Sequence, residues 1–408
     1  MVENIEYSIN KLKEKKIPTI IFATPEVAEA VLYSCREYGI FIDAFCDNEI
    51  RKTYDLFCGL KVVHTSKLKK LFPSARFVIA YHNIKDCADQ LFEMGYNEIY
   101  SPIELLEKHN LNIYEYRVSK SYMASKILIT KKSHELFFHQ SKVFLRSIDV
   151  VITTKCSMNC ESCANLMQYY DKAENTDEKI QVALEVLSRN VDFIGEFRII
   201  GGEPLMNKNW DEICLSILKQ DENRQLFIYT NGTILPKDEK LKKFQNKNIN
   251  FYITDYGNLS RNVNKLEEVL LANNIAYVRK PAENWVDCSS IKKHNRSKDR
   301  LIQVFKECCA KQLYTLLNGK LYTCPFIANA SNLKAIPNNK SDYVNLLSED
   351  VDIKKKIEKL VKMKLFFPAC DFCDGRPNDP TTASEYAGKG LISAGKQTFD
   401  TLNFKKYT

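Results

Sequence analysis

The fold of this chain is decided by a strand followed directly by three cysteines: IDVVITTKCSMNCESC, residues 148–163. The apolar run at 148–154 predicts a buried β-strand. The loop after it carries Cys156, Cys160 and Cys163. A loop this tight can bring three thiolates to one iron–sulfur cluster but cannot provide a fourth, which leaves one iron open for chemistry. The alternative, a zinc site, would need a fourth Cys or His close by, and the nearest histidines are His139 and His294.

Three later turns follow predicted strands of the same series. Their residues are Gly201, Gly202, Glu203 and Pro204 after the second strand, Thr230, Asn231 and Gly232 after the third, and Asp255, Tyr256 and Gly257 after the fourth. Because the carboxyl ends of barrel strands meet at one face, we expect these turns and the cysteine loop to share one site. Glycine at 201 and 202 allows backbone carbonyls to approach a ligand closely.

With these residues the chain resembles the radical S-adenosylmethionine (radical SAM) superfamily. The signature of that family is CxxxCxxC after the first barrel strand, then a GGEP motif that receives the amino group of S-adenosylmethionine and a TNG turn near its ribose. The resemblance implies a [4Fe–4S] cluster on Cys156, Cys160 and Cys163, with residues 201–204, 230–232 and Asp255 binding S-adenosylmethionine. Ser162 departs from the pattern, since many members have an aromatic residue there.

The same resemblance implies a reaction. One electron reduces the cluster, S-adenosylmethionine is cleaved to methionine and a 5′-deoxyadenosyl radical, and the radical abstracts a hydrogen from a substrate. A flavodoxin or ferredoxin is the implied reductant. Barrel loops must exclude water and competing hydrogens for this chemistry to be useful.

A second group of cysteines lies toward the carboxyl terminus. Residues 313–323 predict a β-hairpin that ends just before Cys324, and Cys370 and Cys373 form a CxxC. Together with one thiolate from Cys308 or Cys309, these residues can fill the coordination shell of a complete cluster. Structural zinc uses similar ligands and is the alternative.

This second group resembles the twitch domain of radical enzymes, a shorter relative of the SPASM domain, and implies one auxiliary [4Fe–4S] cluster. A second auxiliary cluster would need cysteines after Cys373, where the chain has Asp379 and Glu385 instead. Spacing leaves Cys308 and Cys309 both open, and the order Cys-Cys-Ala at 308–310, similar to a C-x-A opening in these domains, favours Cys308. Cys288 is expected to be an ordinary loop cysteine, with an open-site ligand or a thiol near the substrate as alternatives.

The predicted fold class is α/β. A βαβ rhythm over 1–118 predicts a Rossmann-like N-terminal domain, and five strands with four helices over 147–285 predict a partial (β/α)5–6 TIM-type barrel. Residues 286–376 predict a small α+β domain for the auxiliary cluster. The segment 119–146 is expected to be a connector and 377–408 an extended tail.

The turn at 23–26 contains no glycine, whereas a dinucleotide-binding turn would need G-x-G-x-x-G. A structural or substrate-presenting role is therefore expected for the first domain. The arrangement Asp43-Ala-Phe-Cys-Asp47 after the second strand is similar in pattern to the N-terminal domains of some sugar acyltransferases and sugar-nucleotide enzymes.

Composition narrows the class of protein. In 408 residues, 45% are hydrophobic, which excludes a disordered or fibrous chain, and no run approaches the roughly 18–20 apolar residues of a membrane span. The charged first residues do not resemble an export signal, so we expect a cytoplasmic protein whose fourteen cysteines stay reduced. The net charge of +8 indicates a solvated basic face, with an anionic substrate or a reductase surface as the alternative.

The predicted function is that of a radical SAM oxidoreductase or isomerase-type enzyme acting on a sugar, an aminocyclitol or a sugar-nucleotide. The Rossmann-like first domain favours a small polar substrate, because enzymes of this kind that mature peptides commonly begin with a winged-helix-like recognition module. Peptide modification is the first alternative, and an iron–sulfur scaffold or electron carrier is the second. Oxidation of a hydroxyl needs a base or polarising group, for which the candidates are Asp255, Tyr256 and Arg279. No nucleic-acid partner is expected.

Overall fold

The structure is a computed structural model that describes residues 5–6, 9–14, 17–49, 56–139, 142–176, 178–220, 224–349, 351–362, 365–377, 390–398 and 404–407. Its contacts divide the chain into two compact units, Met1–Phe144 and Leu145–Thr408. The finer five-part division stays a prediction. No helix within these described ranges is long and apolar enough to cross a membrane.

The first unit contains a mostly parallel sheet. Its described strands are β1 (Ile5–Glu6), β2 (Thr19–Phe22), β3 (Ala44–Asp47), β4 (Leu56–Phe57), β5 (Leu60–His64), β6 (Arg76–Ile79) and β7 (Glu98–Tyr100). They lie in the order β1-β7-β6-β2-β3-β5-β4, and β4 pairs antiparallel with β5 while the other neighbours are parallel. A parallel sheet of this kind is usually covered on both faces. Every residue of β2, β3 and β6 is buried, which shows that both faces are covered here.

Helices cover the two faces of this sheet. The described helices are α1 (Ile9–Leu12), α2 (Val27–Glu37), α3 (Leu68–Leu71), α4 (Ile84–Glu93), α5 (Ile103–Glu107) and α6 (Lys120–Phe138). Alternate residues of β2 face opposite ways, so Ile21 packs with α2, α5 and α6, while Ile20 and Phe22 pack with α3 and α4. Helix α6 lies in the segment predicted to be a connector, and it is capped by the Ser119 side chain.

The second unit contains a longer sheet. Its described strands are β8 (Phe144–Thr153), β9 (Phe193–Gly201), β10 (Gln225–Thr230), β11 (Ile249–Asp255), β12 (Ala276–Pro281), β13 (Trp285–Val286), β14 (Thr315–Leu317), β15 (Lys320–Tyr322), β16 (Tyr343–Asn345) and β17 (Leu391–Ile392). The order is β12-β11-β10-β9-β8-β14-β15-β16, while β13 and β17 form a separate pair. Strands β9 to β12 pair in parallel, as expected for a series of βα units. The α/β class with parallel strands is thereby confirmed.

The helices of the second unit alternate with these strands. They are α7 (Ile180–Asn190), α8 (Trp210–Gln220), α9 (Asp238–Lys242), α10 (Val263–Ala272), α11 (Lys298–Lys306), α12 (Pro325–Asn332) and α13 (Ile353–Lys362). The hairpin of β14 and β15, predicted within the auxiliary domain, extends the main sheet because β14 pairs in parallel with β8. The strand that leads into the first cysteine loop therefore lies beside the hairpin that leads to Cys324.

A buried ion pair joins the first two strands of this sheet, since the Arg198 guanidinium on β9 binds the Asp149 carboxylate on β8. We expect Asp149→Ala to lower the free energy of unfolding of the second unit by about 3–5 kcal/mol, because it leaves a buried guanidinium unpaired. Urea unfolding followed by tryptophan fluorescence measures this, since both tryptophans, Trp210 and Trp285, lie in the second unit.

Glu239→Ala is the matched control for this prediction. It removes only the exposed Lys237–Glu239 pair, which solvent screens, and should leave the unfolding curve nearly unchanged. Equal effects of the two substitutions would contradict a structural role for the buried pair.

Candidate active site

The loop after β8 is held by its own backbone. Lys155 N–H donates to the Thr153 hydroxyl at 3.1 Å, and Ser162 and Leu166 adopt left-handed conformations with φ of 58° and 56°. These turns bring Cys156, Cys160 and Cys163 close enough to interact electrostatically with one another. Ser162, which departs from the family pattern, donates its hydroxyl to Asp287.

The surroundings of these thiols suit thiolate ligands. Burial raises the pKa of Cys163, and the backbone N–H groups of residues 165–167 oppose this by donating to its sulfur. Met158 N–H does the same for Cys156. Hydrogen bonds to sulfur stabilise the charged form of a thiol and tune an iron–sulfur cluster. The donors present therefore fit a cluster on Cys156, Cys160 and Cys163.

The glycine turn after β9 packs against the start of the cysteine loop. Gly202 N–H donates to Thr153 O at 3.0 Å, and Glu203 N–H donates to Lys155 O at 2.8 Å. A Cβ atom on Gly202 would lie 2.1 Å from Lys155 O and 2.8 Å from the Cβ of Cys156. Close approach of two backbones, rather than flexibility, accounts for glycine at this position.

Glu203 is a buried carboxylate surrounded by neutral donors. Its Oε1 accepts from the Thr230 hydroxyl at 2.9 Å and Leu205 N–H at 3.2 Å, and its Oε2 accepts from Asn231 N–H at 2.8 Å. Burial raises the pKa of Glu203 to about 7, although these bonds oppose the shift. A carboxylate in such a place gains most from a cationic ligand, and this fits the ammonium group of S-adenosylmethionine.

The turn after β10 connects this carboxylate to the cysteine loop. The Asn231 side-chain amide donates to the Ser157 hydroxyl at 3.1 Å and approaches the Cys156 sulfur at 3.9 Å. The Ser157 hydroxyl also bonds the Thr233 hydroxyl. The structure thus brings together the three sequence motifs that carry the resemblance, one from each of the first three strand ends.

The three residues predicted to be catalytic fall into two places. Tyr256 interacts electrostatically with Glu203 and with all three cysteines of the loop, and burial raises its pKa far above the usual value, so its phenol is neutral. Arg279 instead pairs with Asp255 at 2.7 Å and with Glu267 at 2.7 Å. The Arg279 side chain is 33% exposed, which places the Asp255–Arg279 pair nearer to solvent.

The second cysteine group also comes together. Each thiol of this set lies within electrostatic range of the others: Cys308, Cys324, Cys370 and Cys373. Cys324 precedes α12 and accepts the N–H of Ile327, while Gly375 N–H donates to the Cys373 sulfur at 3.4 Å. The position at a helix N-terminus stabilises a thiolate, so these donors also fit a cluster.

Cys309 has different neighbours from Cys308. The thiol of Cys309 interacts electrostatically with Cys288, Cys373 and Arg376. Its backbone N–H donates to Arg376 O at 2.8 Å. Neither Cys324 nor Cys370 is among the groups that shift its pKa most. These contacts favour Cys308 as the fourth thiol of the set, as the sequence does.

Arg376 interacts with both cysteine groups, and no motif of the sequence indicates it. It interacts electrostatically with Cys163 of the first group and with Cys308 and Cys373 of the second. Its Nη2 donates to the Ser289 hydroxyl at 2.9 Å, which in turn donates to Cys163 O at 3.0 Å. Burial acts to lower the pKa of Arg376, but the neighbouring thiols raise it overall, so the guanidinium stays charged.

Two further residues of the site were not predicted. The Arg296 guanidinium donates to the carbonyls of Cys370 at 3.0 Å and Cys373 at 2.8 Å and so holds the CxxC turn. Gln397, from the segment predicted to be a tail, contacts Cys160. The local sequence around these residues carries no motif, so only the folded chain identifies them. Asp379 and Glu385 lie outside the described residues.

In the part of the chain that the structure describes, no three His, Cys, Asp or Glu side chains lie close enough together to bind a single metal ion. A four-iron cluster is ligated through separate iron atoms, one thiolate to each. The thiol sets of the described residues are therefore compatible with ligation of a cluster through separate irons.

Comparison with known proteins decides the family of the central region. Residues 150–265 match the model of the radical SAM superfamily. They form a radical SAM domain. This range includes the first cysteine loop and the glycine turn, with Cys156, Gly202 and Glu203, as well as the Asn231 turn.

Curated relatives of the radical SAM domain include two proteins named GTP 3′,8-cyclase. The one from Helicobacter pylori is 29% identical over 107 residues, which are 24% of this chain and 32% of the relative. The one from Clostridium acetobutylicum is 32% identical over 110 residues, 26% of this chain and 34% of the relative. The chain thus spans about a third of the length of the curated relatives it matches.

One solved structure similar to this chain is BtrN in complex with AdoMet and 2-DOIA. The two sequences are 18% identical, the similar region covers 64% of this chain and 98% of that chain, and the TM-score is 0.40. Another is anSMEcpe with bound AdoMet and Cp18Cys peptide. It is 11% identical in sequence, the similar region covers 62% of this chain and 92% of that chain, and the TM-score is 0.39. The match to the radical SAM superfamily supports a [4Fe–4S] cluster and S-adenosylmethionine as the cofactors of this domain, as the sequence predicts, while the auxiliary cluster stays a prediction.

The raised pKa of Glu203 leads to a pH-dependent prediction. If its carboxylate binds the ammonium group, affinity for S-adenosylmethionine should fall about tenfold for each pH unit below about 7, because the carboxyl group is then protonated. In Glu203→Gln, affinity should be weaker and this acidic limb should vanish. Equilibrium binding to the reconstituted protein between about pH 5.5 and 8 measures both.

Glu212→Gln, on the exposed side of α8, is the control and should keep the wild-type profile. An unchanged acidic limb in Glu203→Gln would assign it to another group and contradict the role given to Glu203.

Proposed function

We propose that this protein is a radical SAM oxidoreductase that removes a hydrogen atom from a sugar, an aminocyclitol or a sugar-nucleotide and oxidises or rearranges it. The observation that carries the proposal is the buried Glu203 carboxylate, joined through Thr230 and Asn231 to the loop of Cys156. These hydrogen bonds place a carboxylate that can bind an ammonium group beside the loop with three thiols. A scaffold or electron carrier does not need a site for the ammonium group.

In this proposal, Cys156, Cys160 and Cys163 hold the catalytic cluster. When bound, that cluster supplies one electron to S-adenosylmethionine, whose cleavage yields the 5′-deoxyadenosyl radical. Glu203 orients the cofactor by its amino group. Tyr256, neutral and partly buried, lines the site and can donate a hydrogen bond but cannot accept a proton at neutral pH.

Oxidation of a hydroxyl must also dispose of a proton and a second electron. The hydrogen atom goes to deoxyadenosyl, the hydroxyl proton to a base, and the remaining electron to an acceptor. Asp255 is the proposed base, and Arg279, ion-paired to it, is its positioning residue. An auxiliary [4Fe–4S] cluster on Cys308, Cys324, Cys370 and Cys373 would supply the acceptor.

Arg376 supports the auxiliary cluster as the acceptor. Its guanidinium interacts with Cys163 of one thiol set and with Cys308 and Cys373 of the other. Because one guanidinium interacts with both sets, we infer that the proposed acceptor lies near the catalytic cluster, and such nearness favours transfer of the remaining electron from the substrate radical. A positive charge at this place also favours a reduced, more negative cluster.

The substrate class rests on the first unit and on charge. The first unit is a parallel α/β sheet rather than a winged helix, and the chain carries a net charge of +8, which favours a polar or anionic small molecule. The curated relatives are named for a reaction of a nucleotide, GTP, which is compatible with a sugar-nucleotide. Modification of a peptide is the second candidate. A flavodoxin or ferredoxin is the proposed reductant.

The test is a substrate screen with the anaerobically reconstituted enzyme and a strong reductant. Sugars, aminocyclitols and sugar-nucleotides form one panel and cysteine- or serine-containing peptides the other. We expect a member of the first panel to increase the formation of 5′-deoxyadenosine. The same compound should lose two hydrogens, or isomerise, and the amount of its product should match the amount of 5′-deoxyadenosine. A response confined to peptides would overturn the substrate class.

A further inference from the structure

The segment 390–398, predicted to be part of an extended tail, returns to the first cysteine loop. Strand β17 pairs with β13, and beyond it Cys160 and Gln397 form an isolated antiparallel bridge. Glu161 N–H donates to Lys396 O at 2.7 Å, and Thr398 N–H donates to Asn159 O at 2.8 Å. The segment is thus bonded, residue by residue, to the loop that carries the proposed cluster ligands.

The Gln397 side chain has a defined orientation in this arrangement. Its Oε1 accepts from Asn159 N–H at 2.7 Å, while its Nε2 donates to Gly395 O at 2.7 Å and to the Cys160 sulfur at 3.3 Å. The reversed amide would oppose an N–H group to Asn159 N–H and an oxygen to both the carbonyl and the sulfur. The donor is therefore directed at the sulfur.

The segment is also packed against the rest of the site. A Cβ atom on Gly395 would lie 2.7 Å from Cδ1 of Tyr256, so the backbone there is in close contact with the tyrosine ring. Lys396 forms an ion pair with Glu161 at 2.7 Å. These contacts hold Gln397 in place independently of its bond to Cys160.

We propose that Gln397 is a positioning residue of the catalytic cluster, which donates a hydrogen bond to the Cys160 thiolate and thereby raises the reduction potential of that cluster. This inference rests on the proposed function, since it takes Cys160 as a ligand. The physical reason is that reduction adds negative charge, part of which lies on the ligand sulfurs. An N–H donor stabilises the reduced form more than the oxidised form.

The experiment is a redox titration of the reconstituted full-length enzyme, monitored by electron paramagnetic resonance. The catalytic cluster is recognised by the change of its signal when S-adenosylmethionine is added. In Gln397→Leu, we expect the ratio of reduced to oxidised catalytic cluster at a fixed potential to fall about tenfold, a shift of about 59 mV for a one-electron couple. The auxiliary signal and the iron content should be unchanged.

Two further variants separate tuning from damage to the loop. Gln397→Glu keeps the acceptor for Asn159 N–H but replaces the donor by an anionic oxygen, so its shift should be in the same direction and larger. Gln181→Leu replaces glutamine by leucine at an exposed position of α7, where the amide bonds Glu185, so its potential should stay near that of the wild type.

An unmoved potential in both Gln397 variants with full iron content would overturn the inference. Loss of the catalytic cluster from both would also overturn it, because a residue that only tunes the potential is not needed for assembly. Failure of the part of the proposed function on which this inference rests, a cluster on the first cysteine loop, would look different, since the wild type itself would then lack iron at Cys156, Cys160 and Cys163.

Discussion

Replacement of Cys324 and Cys370 by serine should remove about four of about eight irons and abolish product formation, while 5′-deoxyadenosine is still formed. The two thiols belong to the set that contains Cys308 and Cys373. They take no part in the proposed binding of S-adenosylmethionine by Glu203, so cleavage of the cofactor should continue. Without the acceptor, the substrate radical that remains after hydrogen abstraction cannot lose the one electron needed to complete the oxidation. Iron analysis and product analysis of the same reaction measure the two effects together.

Two control variants sharpen this prediction. Cys214→Ala changes a buried cysteine of α8 outside both thiol sets and should leave the iron content at the wild-type value. Cys309→Ala should also keep the full iron content, whereas Cys308→Ala should lose the auxiliary cluster. Zinc instead of iron in the wild type at this site, or iron loss only on changing Cys309, would contradict the assignment.

Gly202→Ala should lower the affinity for S-adenosylmethionine by about 5- to 150-fold. Its Cβ would lie 2.1 Å from Lys155 O and 2.6 Å from the Lys155 carbonyl carbon, so the glycine turn and the cysteine loop must move apart. Such overpacking costs about 1–3 kcal/mol, and it displaces Glu203 from the loop of Cys156. Equilibrium binding of S-adenosylmethionine to the reconstituted variant measures the effect.

Gly39→Asn is the control for this substitution. Gly39 follows α2 in the first unit, has φ of 69° and has no atom within 4 Å of an added Cβ, and asparagine tolerates this conformation. Its affinity for S-adenosylmethionine should equal that of the wild type. Wild-type affinity in Gly202→Ala would show that the close approach is not required for binding.

The fold class and the core of the candidate site could be predicted from the sequence because their signals are local. The buried strand before Cys156, the glycines before Glu203 and the short turn at Asn231 each combine a strand end with residues of special chemistry. Parallel strand pairing then brings their carboxyl ends together without further information. The structure adds the hydrogen bonds that join Thr230 and Asn231 to Glu203.

The remaining features depend on contacts between residues far apart in the chain. Gln397 meets Cys160 across 237 residues, and Arg376 meets Ser289 across 87. Neither residue belongs to a motif, since a glutamine or an arginine in an irregular segment is ordinarily solvated. Likewise, nothing local indicates that the β14–β15 hairpin extends the main sheet beside β8.

For the candidate catalytic residues, the sequence predicts a position at a strand end but not the contacts of each side chain. Strand-end position groups Asp255, Tyr256 and Arg279 together, but position does not reveal which side chains are already paired. Arg279 is engaged by Asp255 and Glu267, whereas Tyr256 lies among the cysteines and Glu203. Their catalytic roles stay predictions until the substrate is known.

The central claim is that Cys156, Cys160 and Cys163 hold the cluster that cleaves S-adenosylmethionine. Its most direct test is anaerobic reconstitution of the wild type and of the triple alanine variant, followed by iron counting and incubation with S-adenosylmethionine and a strong reductant. We predict about eight irons and 5′-deoxyadenosine for the wild type, and about four irons and no 5′-deoxyadenosine for the variant. Equal iron content in both proteins, or 5′-deoxyadenosine from the variant, would contradict the claim.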